Sequence, residues 1–273
     1  MPLRLHHSDD DFAARFSALV DAERAADADV GGAVAEIVAS VRDQGDAALL
    51  AYTERFDGHA LSAADLRVDA AEIAAARHQV APEVVAALET AAVRIEAFHT
   101  RQLPQDLDYV DDDGIGLGQR WRPIAAAGLY VPGGRAAYPS SLLMNAIPAR
   151  VAGVSRRVMV TPTPDGRVNP LILAAAEIAG IDEIYRIGGA QAVAALAYGT
   201  ATVPKVDKVV GPGNAYVAEA KRQVYGRVGI DSIAGPSEVL IVADGNNDPS
   251  WTAIDLLSQA EHDDLAQAIL ITD

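Results

Sequence analysis

Cysteine is absent from the 273 residues. That excludes a disulfide framework, a thiolate zinc site, an iron–sulfur cluster and a cysteine nucleophile. Aromatic residues make up only 5% of a chain that is 50% apolar, so its cores must be built from Ala, Val, Leu and Ile. Basic side chains are also scarce, with 22 Lys and Arg against 38 Asp and Glu and a net charge of −16. A surface this acidic repels phosphate backbones, which argues against a nucleic-acid partner. The uncharged stretch 136–149 is interrupted by Pro139, Asn145 and Pro148, and falls short of the ~20 residues that span a bilayer. Met1–Asp10 has no apolar core before its acids begin, unlike a secretory signal. The expectation is a soluble cytoplasmic protein with no membrane partner, organised as roughly two domains.

What is present reads first as helix. Over residues 9–103, Val34, Ile37, Val38 and Val41 recur at helical spacing, and Gly45 is placed to end that helix. Asp69 followed by Glu72 has the pattern of a capping box. Pro82 opens a long helix whose apolar stripe is predicted as Val84, Leu88, Ala91, Ile95 and Phe98. The histidines at 6, 7, 59, 78 and 99 are isolated and read as surface or packing residues. Asp111-Asp112-Asp113-Gly114 lies between two apolar runs and predicts a hairpin turn; it lacks the alternating ligand spacing and terminal Glu of a calcium loop.

From residue 124 onward, short apolar runs alternate with helical patterns. Strands are predicted at 124–131, 157–160, 183–187, 208–210, 239–242 and 268–271, with helices at 140–153, 170–179, 190–198, 214–225 and 249–261. This alternation implies parallel βαβ units and a doubly wound α/β sheet. The chain stops at Asp273 directly after a strand-like run, so the reading expects a polypeptide cut short.

Three glycine-bearing loops follow predicted strands: Tyr130-Val-Pro-Gly-Gly-Arg135, Ile187-Gly-Gly-Ala-Gln191 and Gly211-Pro-Gly-Asn214. Glycine there lets the backbone approach a ligand, and a helix start offers free N–H groups to an anion. Tyr130, Gln191 and Asn214 would suit a flat, polar, phosphate-bearing ligand at the carboxyl ends of the strands. Ordinary tight turns would produce the same residues. Near the end of the 249–261 helix, Gln259 and His262 are three apart and share a face; they could supply half a zinc site, or His262 could simply meet the helix dipole. Ser237, in Gly235-Pro-Ser-Glu238, could hydrogen-bond a substrate but has no identifiable triad partner.

Taken as blocks, Gly128–Ala149, Gly188–Thr200, Gly211–Val224, Asp231–Leu240 and Asp255–His262 resemble the histidinol dehydrogenase family. The resemblance implies two NAD-dependent oxidations, from L-histidinol through an aldehyde to L-histidine, with one Zn2+ per site. It implies NAD contacts at Tyr130, Gln191 and Asn214, a substrate contact at Ser237, and zinc ligation by Gln259 and His262, both also close to the substrate. It implies a homodimer of two Rossmann-like doubly wound domains, the first discontinuous and here incomplete. The expected division is an N-terminal helical arm at 1–24, a first domain at 25–128 with 236–273, and an NAD-binding domain at 129–235. With no cysteine for a thiohemiacetal, the second oxidation is expected to pass through an aldehyde hydrate. The family's acid–base Glu-His pair, and the Asp and His that complete its zinc site, would lie beyond Asp273. These 273 residues are therefore expected to be inactive alone and to leave apolar sheet surface uncovered. The alternatives are a relative acting on another amino or sulfonated alcohol, and a non-catalytic nucleotide-binding remnant.

Overall fold

The computed structural model describes residues 3–133, 137–233, 238–261 and 266–273. Two compact units emerge, Met1–Asp231 and Ser232–Asp273.

The first unit begins with helices. Helix α1 (Phe12–Gln44) ends at Gly45, whose positive φ of 58° no β-branched residue would tolerate, and α2 (Asp46–Asp57) starts directly after it. Helices α3 (Ala70–Ala76) and α4 (Pro82–Thr100) follow. Asp69 caps α3 by accepting the Ala71 N–H at 2.8 Å. Glu72 does not turn back to complete the expected capping box, because it is ion-paired with Arg186. The stripe predicted for α4 also needs correction. Val85, Leu88 and Ala92 are the buried positions, whereas Val84 and Phe98 are exposed. Leu88 is buried as expected and Ala91 and Ile95 are partly buried against the same core, so only the two ends of the expected stripe are displaced, on a helix that α5 and α6 both contact.

The acidic run is a hairpin turn joining β1 (Leu107–Val110) to β2 (Gly116–Gln119), antiparallel with Val110 opposite Gly116. The Asp111 carboxylate accepts the N–H groups of Asp113 and Ile115 at 3.0 and 2.8 Å. Asp111 thus closes the turn that the sequence predicts.

Five parallel strands form the central sheet: β3 (Ala126–Tyr130), β4 (Arg156–Val160), β5 (Glu183–Tyr185), β6 (Lys208–Val210) and β7 (Gly229–Ile230). Their spatial order is β5-β4-β3-β6-β7, with helices α5 (Pro139–Val151), α6 (Pro170–Ala179), α7 (Gly189–Tyr198) and α8 (Ala215–Val224) as connections. This is the expected mixed α/β architecture with a parallel sheet. Strand β3 is buried throughout and alternates between two cores. Ala126 and Tyr130 face a core shared with α1, α2, α7 and α8. Ala127 and Leu129 face a core shared with α3, α4, α5 and α6.

The second unit is one βαβ element: β8 (Glu238–Val242), α9 (Pro249–Ala260) and β9 (Gln267–Ile271). The two strands pair in parallel, Glu238 opposite Gln267 and Val242 opposite Ile271. Asp248 caps α9 through the Ser250 N–H at 2.8 Å. Among the described residues, no helix is long and apolar enough to cross a membrane.

Leu129 is fully buried at the centre of the sheet. Leu129→Ala is expected to lower stability by about 2–5 kcal/mol, read as a shifted urea-unfolding midpoint with unchanged slope.

Candidate functional site

Strand order reverses between β3 and β6, and in doubly wound sheets ligands bind beyond the carboxyl ends of the strands at such a switch point. The described residues of the three glycine loops follow β3, β5 and β6 along that edge. Their backbones are in close contact, and the glycines permit it. Gly211 has φ of 118°, and a Cβ there would stand 2.1 Å from the Tyr130 carbonyl oxygen. A Cβ on Gly133 would meet the Pro162 carbonyl at 2.6 Å, and one on Gly188 would meet Pro162 Cβ at 2.4 Å.

Gly211 is gripped through both its N–H and its carbonyl by a charged pair. Lys221, from the middle of α8, is 2% exposed and donates from Nζ to the Gly211 carbonyl at 3.0 Å. It is also ion-paired with Asp231, whose Oδ2 accepts the Gly211 N–H at 2.8 Å. Neither residue was singled out from the sequence. A signal existed for Lys221, which sits between Val217 and Val224 on the buried stripe of α8. A lysine at a core position of an amphipathic helix needs a partner.

Tyr130, Gln191 and Asn214 all lie on this edge, in different states. Tyr130 is 4% exposed and its phenol oxygen accepts the Gly189 N–H at 3.0 Å, tying β3 to the start of α7. Burial pushes its hydroxyl up to about 12, with the Asp57 charge adding to the shift against the Gly189 hydrogen bond, so the phenol stays protonated at neutral pH. Asn214 is exposed and caps α8, Oδ1 accepting the Val217 N–H at 3.1 Å, which leaves its amide N–H groups for a ligand. Gln191 is 1% exposed, and neither of its amide atoms has a hydrogen-bond partner among the described residues. Gly189, with φ of 63°, makes room for that amide; a Cβ would stand 2.6 Å from Oε1. A buried, unsatisfied carboxamide at a glycine-lined sheet edge is a group that a polar ligand would complete.

On the side of the sheet covered by α3 and α6, a cavity of about 610 Å³ reaches the same edge, lined among others by Pro132, Gly133, Pro162, Arg167 and Arg186. Arg186 is fixed there by Glu72 and by the carbonyls of Asp65 and Arg67 at 3.2 and 3.1 Å.

Ser237 and His262 lie outside the described residues. Gln259, near the end of α9, is half-buried, and its amide nitrogen has no partner among the described residues. No group of three or more His, Cys, Asp or Glu side chains is gathered among the described residues. One amide oxygen does not hold zinc, so the described donors do not fit that ion by themselves.

The Histidinol dehydrogenase family model matches residues 21–273. Curated histidinol dehydrogenases of Rhodospirillum rubrum and Ruegeria pomeroyi are 63% and 61% identical over 273 residues. Those alignments take in all of this chain and 63% of each relative, so the chain spans somewhat under two thirds of their length. The crystal structure of histidinol dehydrogenase from Elizabethkingia anophelis superposes with a TM-score of 0.80 at 42% identity, covering 88% of this chain and 56% of that one.

Lys221→Met should cost about 2–3 kcal/mol, less than the 3–5 of a fully buried broken pair because Asp231 is one-third exposed. Chemical denaturation measures the loss, and an unchanged midpoint would mean that the clamp contributes nothing to the fold.

Proposed function

The chain belongs to the histidinol dehydrogenase family, and from that premise we propose that the whole protein oxidises L-histidinol to L-histidine with NAD. The observation that carries the cofactor part is Gln191, whose buried amide at the glycine-lined edge has a donor and an acceptor without partners among the described residues. Tyr130, Gln191 and Asn214 are its proposed NAD contacts. When bound, the nicotinamide supplies the hydride acceptor for each of two oxidations.

The chain's own residues bind and orient. Gln191 offers an N–H and a carbonyl to one polar group, and Asn214 offers an N–H at the start of α8. The N–H groups at that helix start favour an anion such as a pyrophosphate. Tyr130, protonated and tied to Gly189, fixes the spacing of the β3 and α7 ends. These 273 residues hold no cysteine to trap an aldehyde, and we propose that water adds to it before the second oxidation.

For the whole protein we propose a cytoplasmic homodimer, with Ser237 in contact with the substrate. Gln259 and His262 are two proposed zinc ligands, also near the substrate. The proposed domain division is 1–24, 25–128 with 236–273, and 129–235. The family resemblance puts the acid–base Glu-His pair and two further zinc ligands outside these 273 residues. A polypeptide of these residues alone is therefore proposed to bind zinc poorly and not to turn over.

The test is NADH formation from L-histidinol by the whole protein, compared with other amino alcohols. Histidinol should be preferred; preference for another alcohol would move the reading to a relative of different substrate. Gln191→Ala should weaken NAD about tenfold, as loss of one or two hydrogen bonds would. The isolated 273-residue stretch should give no NADH, and turnover at the whole protein's rate would overturn the proposed division of labour.

A further inference from the structure

A set of buried polar atoms around the end of β4 is left without hydrogen bonds. Among the described residues, Asp57 Oδ2, Thr163 Oγ1 and both amide atoms of Gln191 have no partner. These residues come from α2, from the segment after β4 and from α7, yet a chain of neighbours connects them. Helix α2 ends at Asp57 and packs on the turn Pro164–Gly166. Just beyond it, the His59 ring lies against Gly166, where a Cβ would come within 2.5 Å of Nε2. The Thr163 backbone N–H bears on the Asp57 carboxylate. The charge of Asp57 is felt at the Tyr130 phenol, which holds the Gly189 N–H, and Gly189 underlies the Gln191 amide.

A carboxylate oxygen that is buried and lacks a donor is unfavourable, and folded proteins keep such an atom where something outside the chain completes it. A carboxylate can only accept, so the missing partner must carry a donor. Its position narrows the choice. Counted from the switch point, β4 is the second strand of the sheet. In doubly wound folds the carboxylate near the end of the second strand accepts the hydroxyls of the adenosine ribose and disfavours a 2′-phosphate. In this chain the strand runs on into Thr161-Pro162-Thr163-Pro164, and a carboxylate is delivered to that place from α2.

We propose that Asp57, with Thr163 beside it, accepts the adenosine-ribose hydroxyls of the bound dinucleotide and selects NAD over its 2′-phosphorylated form. This rests on the NAD reading above and adds to it a residue from outside the sheet's own βαβ units. Asp57 is a ligand-contacting residue here and takes no part in hydride transfer.

The experiment is calorimetry on the whole protein with three probes: NAD, NAD lacking the adenosine 2′-hydroxyl, and NADP. Wild type should bind NAD about tenfold more tightly than the 2′-deoxy analogue, the scale of a hydrogen bond to a charged group, and NADP more weakly still. Asp57→Asn keeps an oxygen for the Thr163 N–H and removes the charge. It should lose about tenfold for NAD, little for the 2′-deoxy analogue, and most of the discrimination against NADP. Equal losses for NAD and the deoxy analogue would reduce Asp57 to a structural role and overturn the proposal. An unchanged NAD affinity would overturn it as well. If Asp57→Asn fails to fold, Thr163→Val takes its place, with a smaller loss for NAD and none for the deoxy analogue; no loss for NAD would count against the niche. Wild type that binds none of the three probes would instead defeat the NAD reading, and this inference with it.

Discussion

One residue, Gly211, and the charged pair that grips it tie the carboxyl ends of β3 and β6 together. Gly211 leaves β6 in a conformation closed to other residues, with its Cα pressed against the Tyr130 carbonyl of the neighbouring strand. Lys221 holds its oxygen and Asp231 its nitrogen. Because β3 and β6 pair in parallel with Leu129 opposite Val210, fixing Gly211 also fixes the carboxyl ends of both strands. A buried ion pair is poor evidence for stability, since desolvation offsets most of its attraction. Its value here is positional: two charges address the N–H and the C=O of one residue, in adjacent peptide groups, and no apolar pair could do that.

The scarcity of aromatic residues belongs to the same design. Helix α7 buries Ala192, Ala194, Ala195 and Ala197 completely, and α6 does the same with Ala174, Ala175 and Ala176. Small side chains bring the helices close to the sheet. At Gly128 the approach is so tight that a Cβ would meet Leu196 Cδ1 at 2.8 Å. Close packing transmits strain and leaves few alternative arrangements. Such an edge can keep a carboxamide such as Gln191 buried and unsatisfied until a ligand completes it.

How far this was legible in the sequence depended on whether the deciding forces were local. Helix α6 was placed to the residue, because Asn169 before Pro170 caps it and Gly180 ends it, all within one short stretch. The hairpin at Asp111 was legible for the same reason. Glu72 was misread because its partner, Arg186, is 114 residues away, and an ion pair there outcompetes the return to the helix start. The ends of the α4 stripe, Val84 and Phe98, were misplaced because the exact buried face depends on contacts with α5 and α6. At the site, the glycine loops and Gln191 were visible as motif text. Asp57 carried no mark at all, since only the packing of α2 on the turn after β4 gives it a role. Lys221 could have been suspected from its place on a buried stripe.

The two halves of the proposed chemistry fall in different stretches of sequence. Every group proposed here to hold the dinucleotide, from Asp57 to Asn214, lies within Met1–Asp231, where the sheet is covered on both faces. The proposed zinc ligands belong to Ser232–Asp273, where Trp251, Ile254 and Leu257 on α9 are each more than 60% exposed and Leu240 and Val242 on β8 are bare as well. Exposed large apolar side chains in such density mark surface that a working protein keeps covered. The groups proposed to bind the cofactor therefore lie in one compact unit, whereas the proposed zinc ligands lie in a unit that, among the described residues, buries almost no core of its own. Affinity for the dinucleotide should then follow the packing of the five-stranded sheet, and turnover should follow whatever covers α9 and β8.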